Sequence, residues 1–419
     1  MIILVIIICA SVHILLSICE VEVSMTKIRG IILFLVLICV GSAVFCGGVS
    51  AEETKTFVDD VGREITLPTT IDAVSPSGPL AQIVLYSFDP DLFVSIFCKF
   101  AANEEKYIDS RLFTLPVTGQ FYGSKSTMNA EEIMELNKNL HIDLVLDVGA
   151  AKGTMKEDLD TIQATTGVPF VFVTQNKLSD IPTSYLTLGT LLSNEARGKE
   201  LSTYVSDLLK EFETGMTQVG ANKKSMIHVS GVSGNSVHLI GSGEKSYHGE
   251  VINYLANNLA GAAVTGSGLG DEYTMEDILS LNPDYIIVSY TADHAYYNEI
   301  MNSQMWQSLR AAKNGNVYEA PCGPYNWMGS PPSVQRLLSM IWLGNLFYPD
   351  VFDYNVEDKV KQFYSMFFSY DLSDAELDEL MIYAKSDSSA NTTQTPVPIV
   401  GILAGLCAAS VFAFARRKN

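Results

Sequence analysis

The chain has 419 residues, 47% of them hydrophobic and 18% charged, with 47 Asp and Glu against 27 Lys and Arg, a formal charge of −20. That sign repels phosphate backbones and excludes nucleic acid as a natural partner. Without the apolar ends described below, roughly 335 residues remain, enough for about two domains with cores of their own and no need of disulfide staples.

Two apolar stretches open the chain. The second follows Met25 with TKIRG, a basic region holding Lys27 and Arg29, then an apolar run, then the small-residue site Val49-Ser50-Ala51. That grammar predicts an export signal within residues 1–51 and makes Met25 a candidate start. Cys46 is no lipoprotein site, because Phe45 stands where a small residue belongs. The folded part is expected over 52–385. Good strand candidates are 144–149, 169–174, 226–231, 237–242 and 285–290, β-branched or aromatic and bounded by Gly, Pro, Asn or Asp. Amphipathic helical patterns separate several of them, which predicts an α/β architecture with largely parallel sheets.

An internal echo divides this part. NAEEIMELN (129–137) leads into IDLVLDVG, and TMEDILSLN (274–282) leads into PDYIIVSY, with Glu131 and Glu276 at matching places. Each copy reads as a capped helix running into a buried strand, with Asn129 or Thr274 as N-cap and Glu132 or Asp277 closing a capping box. The echo predicts two related lobes, 52–194 and 220–385. Between them, 195–219 carries apolar residues at Leu201, Val205, Leu208, Leu209 and Phe212 and no proline. Such a helix is about 37 Å long and can join the lobes as a rigid strut. Residues 386–398 are a Ser/Thr/Pro-rich linker. Residues 399–419 are an apolar run closed by Arg416, Arg417 and Lys418, as expected of a C-terminal transmembrane anchor with a cytoplasmic end.

Catalytic signatures are missing. GVSGN (231–235) lacks nucleophile-elbow spacing, GSGLG (266–270) does not satisfy GxGxxG, and there is no P-loop. His141, His228, His238, His248 and His294 form no HxH, HxxxH or HExxH pattern, so a bare-ion metal site is not expected. His228 and His238 fall in predicted strands and read as structural. Cys98 and Cys322 are the cysteines of the folded part, and spacing does not say whether they pair.

The ordered set of motifs resembles the iron-complex and cobalamin substrate-binding proteins of ABC importers. FVDDVGREITLPTTIDAVSPSG (57–78) resembles their D-x-x-G-R opening, through Asp59 or Asp60, Gly62, Arg63, Pro68, Pro76 and Ser77. The unit with Asn129, Glu131 and Ile133, and the stretch 320–350 with its Tyr-Pro-Asp stop, are similar too. The C-terminal end also resembles anchors of archaeal surface proteins. The resemblance implies two Rossmann-like lobes joined by one long helix (the class III fold of periplasmic binding proteins), here with hydrophobic terminal helices. It implies a monomer held at the outer face of the cell membrane, with no cofactor of its own and no catalytic or metal-ligating residue. Such a protein captures a metal complex (a ferric siderophore, haem or a corrinoid) and delivers it to an ABC permease and its ATPase. Glu131 and Glu276 would pair with permease arginines. The groove between the lobes would draw ligand contacts from strand-end loops. The candidates are Ser77, Gly78, Tyr122, Lys125 and Lys152 in the first lobe, and Ser242, Tyr247, His248, Tyr290, Tyr325, Asn326 and Trp327 in the second. Aromatic rings suit a planar macrocycle or chelator, and lysines suit its carboxylates. The competing reading is a membrane-tethered surface hydrolase or metallochaperone with a catalytic cleft of its own.

Overall fold

The computed structural model describes residues 53–122, 126–243, 246–264 and 269–385. The export signal, linker and anchor lie outside them, as does Lys125. Among the described residues no helix is long and apolar enough to cross a membrane.

The fold opens with a hairpin, β1 (Thr54–Val58) against β2 (Glu64–Pro68). Its turn settles which acid of the D-x-x-G-R motif is structural. Gly62 takes a positive φ of 74°, a conformation that favours glycine. Asp59 then accepts from the Arg63 backbone N–H at 2.8 Å and pairs with its guanidinium at 3.1 Å. Arg63 is buried and spends its other donors on Asp160, Gln163 and the Phe170 carbonyl. It thereby ties the hairpin to the first sheet, as buried guanidinium requires. Asp60 accepts from Thr174 N–H instead.

That sheet is parallel, in the order β3 (Val74–Pro76), β4 (Leu144–Gly149), β5 (Phe170–Thr174). The second is mixed, in the order β11 (Val317–Glu319), β10 (Tyr285–Val288), β6 (Ser225–Ser233), β7 (Ser236–Leu239), β9 (Asp271–Thr274), with β8 (Asn257–Asn258) also on β6. β11, β10, β6 and β8 run parallel, whereas β7 pairs antiparallel with β6 and β9.

Strand periodicity explains how the halves meet. Val145, Phe170 and Phe172 point to a cluster private to the first half, and Ile227, Val229, Ile286 and Val288 to one private to the second. The alternate residues, Leu144, Leu146, Val171, Val173, Met226 and Ile287, share a single central cluster. The helix Glu195–Val219 runs through that cluster, capped by Asn194 and stopped at Gly220, with Leu201, Val205, Leu208 and Phe212 buried. The two halves are therefore joined by a common apolar layer as well as by the strut.

The C-terminal helices correct the expectation that 220–385 packs as one lobe. Helix Val356–Phe368 returns to the first half, where Phe367 meets Tyr185 and Tyr204, and the Phe368 carbonyl accepts from Tyr86. Its Phe363, Tyr364, Phe367 and Phe368 are buried in the central cluster, and burial of each ring contributes about 2 kcal/mol.

Candidate binding site

Parallel strands deliver their loops to one edge, and the first sheet does so here. The turn after β3 places Ser77 and Gly78 at the start of helix Pro79–Phe88, and the end of β4 with the turn after it brings Asp147 to Lys152 beside them. With Gln120 and Tyr122 they line a cavity of about 230 Å3. The helix start carries no side-chain cap, and its first residues Pro79, Leu80 and Ala81 line the cavity. Lys152 holds its ammonium 4.0 Å from the centroid of the Tyr122 ring. The Tyr122 hydroxyl donates to Asp158 at 3.2 Å. Ser77 Oγ donates to Asp147 Oδ1. The second Asp147 oxygen is buried without a partner, and burial pushes this carboxyl above the usual aspartate range, the Ser77 bond and Lys152 charge opposing. The result is a small pocket whose free charged donor is the Lys152 ammonium, able to meet a carboxylate or similar anionic group. Asp147 escaped the reading of the sequence, although a lone acid in the otherwise apolar strand LVLDVG marked it.

Four of the first-half candidates thus converge: Ser77, Gly78, Tyr122 and Lys152. The second-half candidates do not. Ser242 Oγ is turned to the Gly261 carbonyl at 2.7 Å, and Tyr247 is exposed. His248 Nδ1 lies 2.6 Å from the Gly329 carbonyl, half-buried. Asn326 uses its side-chain oxygen to accept from Met328 N–H at 2.8 Å. Tyr325 and Trp327 correct the expectation outright: both are buried, Trp327 with no exposure, in the central cluster against Phe368 and Trp342. The loop folds back on itself through bridges Cys322–Asn326 and Asn326–Ser330, which turns both rings inward where their area is worth most. Tyr290 lines a different cavity, with Tyr107, His294, Glu319, Cys322 and Tyr383. Cys98 and Cys322 are free thiols.

A parallel between the halves extends beyond the quoted motifs. Asp143, before β4, accepts from the amides of Asp72 and Ala73 that lead into β3. Asp284, before β10, accepts from the amide and hydroxyl of Ser225 at the start of β6. Each half uses the same acid to pin its first strand to the next. Glu131 and Glu276 are both exposed in the first turns of helices Ala130–Leu140 and Met275–Leu281. Their caps differ from expectation: Thr274 and Asp277 complete a capping box, but Asn129 accepts only from Glu131 N–H, and Glu132 returns no bond.

Among known proteins, residues 139–322 match the model of a periplasmic binding protein family. The chain is 24% identical over 198 residues to the Fe(3+)-citrate-binding protein YfmC of Bacillus subtilis, covering 47% of this chain and 58% of that one. The match therefore spans little more than half the length of that relative. An ABC transporter solute binding protein from Sulfurospirillum deleyianum superposes with a TM-score of 0.68 at 24% identity, over 78% of this chain and 99% of its own. A periplasmic solute binding protein from Veillonella parvula gives 0.63 at 23%, over 80% and 99%. The molybdate-binding MolA of Haemophilus influenzae gives 0.56 at 17%, over 76% and 99%. The fold is shared with all three.

Proposed function

We propose that the chain, whose residues 139–322 match a periplasmic binding protein family, is the solute-binding component of an ABC importer, capturing a metal complex outside the cell and passing it to a permease and its ATPase. The convergence of Ser77, Gly78, Tyr122 and Lys152 on one cavity carries this reading. Such a pocket is too small for a whole chelate and suits one arm of it. The Lys152 ammonium and the uncapped helix start favour an anionic arm, while the Tyr122 ring offers a flat wall. A relative named for ferric citrate supports a ferric complex of this anionic kind. Ferric siderophores, haem and corrinoids remain the ligand classes to compare. Delivery takes place at the outer face of the membrane, to which residues 399–419 anchor the chain.

These matches are binding proteins and not enzymes, and the hydrolase alternative has nothing in the cavity to support it: Ser77 is bonded to a carboxyl with no histidine among the lining residues. The test is a titration of the purified chain with ferric citrate, hydroxamate and catecholate ferric complexes, haem and cobalamin, followed by visible absorbance. One class is expected to saturate. Lys152→Ala is expected to weaken it about tenfold, the effect of losing one charge-assisted bond. Saturation by none of them overturns the metal-complex assignment.

A further inference from the structure

The cavity at the carboxyl ends of β10 and β11 shares no lining residue with the one that holds Lys152. It encloses about 380 Å3, room for a small organic molecule. Tyr107, Tyr290 and Tyr383 supply aromatic wall, and His294 and Glu319 supply the polar part. His294 Nδ1 lies 2.5 Å from Glu319 Oε2. The imidazole meets Tyr290 and Tyr383 edge to face, with ring centroids 5.6 and 5.0 Å away. One side of Glu319 is therefore fixed. Its other oxygen, Oε1, is buried and holds no well-aligned hydrogen bond in a residue only 4% exposed, and burial raises this carboxyl while His294 and the Thr291 backbone N–H oppose. A buried carboxylate oxygen without a well-aligned donor is costly and uncommon in a finished site.

Lys106 lines this cavity too, with its ammonium 5.5 Å from the centroid of the Tyr107 ring. Lys106 at the rim is neutralised by Glu379 at 2.8 Å. Glu104 acts on the Cys322 thiol of the same wall, as Glu319 does, and both help burial push that thiol up to about 12. Aromatic faces beside a buried carboxylate are the setting in which an organic cation gains from both ring quadrupoles and charge. A bare metal ion is a poorer guest. Glu319 and His294 give two ligands where three or four are required, and among the described residues no group of three suitable side chains converges.

We propose that this cavity binds a small organic cation, a primary ammonium or a guanidinium, which donates an N–H to Glu319 Oε1 and lays its charge against the tyrosine rings. The site is separate from the anionic-chelate pocket, and its occupancy does not depend on that assignment. The experiment is calorimetric titration of the purified chain at neutral pH with methylguanidinium and butylammonium, with butanol as the uncharged control. Both cations are expected to bind saturably and butanol not to bind. Glu319→Gln, which keeps the shape, is expected to weaken the cations about tenfold, and Tyr290→Ala several-fold. Circular dichroism checks that each variant is folded, and Lys152→Ala is expected to leave the cations unaffected. No saturation by either cation, or wild-type affinity in Glu319→Gln, overturns the proposal. Should Glu319→Gln fail to fold, wild-type affinity in Tyr290→Ala overturns it equally.

Discussion

Asp147 stands in β4 among Leu146, Val148 and other buried apolar neighbours, and its energetics follow from that company. Burial raises its carboxyl above the ordinary value of about 3.9, and the Ser77 bond and the Lys152 charge only partly offset this. A carboxyl raised in the folded state contributes its full stability while both states keep the proton. That contribution is lost as pH rises through the folded value. Asp147→Asn cannot lose a proton. It is therefore expected to melt with the parent at about pH 3 and at a higher temperature near pH 7. Melting curves at the two pH values check this; an equal difference at both would contradict it. The same residue shows what sequence can and cannot reveal. Ser77 and Lys152 were legible because loop residues at strand ends have few structural duties. Tyr325 and Trp327 misled because a loop is no guarantee of exposure when its rings can reach a core. Asp147 and Glu319 went unread, yet each is a lone acid at the carboxyl end of a buried strand, a pattern that flagged both cavities.

At the scale of elements, the long helix was readable to its bounds because 25 residues without proline and with one apolar stripe leave little alternative. What the stripe does not reveal is how closely the neighbour crosses. Helix Ile181–Leu191 meets the strut glycine to glycine, and a Cβ on Gly198 would lie 2.5 Å from the Tyr185 carbonyl and 2.9 Å from Gly189 Cα. Helix propensity alone favours Gly198→Ala by about 1 kcal/mol. The contact is against backbone, which cannot swing aside, and overpacking of that kind costs about 1–3 kcal/mol. The second effect is expected to win, leaving the variant less stable by up to about 2 kcal/mol in urea unfolding, the difference between the two. A more stable variant would show that the crossing can open without loss. The return of helix Val356–Phe368 to the first half was illegible for a related reason. Periodicity says which face of a helix is apolar, but not which of two half-covered surfaces receives it.

For the whole molecule, the repeat and the shared core act together. Asp143 and Asp284 place β4 and β10 equivalently against β3 and β6, so the helices that precede those strands, and Glu131 and Glu276 on them, hold matching positions in the two halves. The strut and the central apolar cluster then fix one position relative to the other. Both glutamates are exposed and lie outside either cavity, so their charges are available to a partner without touching a ligand. A single exposed ion pair is worth about 1 kcal/mol or less, too little to seat a binding protein. Two at fixed spacing gain from being engaged together, because the second forms at high effective concentration once the first has formed. Glu131→Ala and Glu276→Ala are each expected to slow uptake in part, and the double variant to abolish it. Affinity for the captured complex should stay within about twofold, since neither residue meets it. The measurement is transport into proteoliposomes holding the permease and ATPase, with the ligand titration run alongside. Wild-type uptake by the double variant would remove these residues from the docking surface, and a parallel loss of affinity would place their effect in the fold instead.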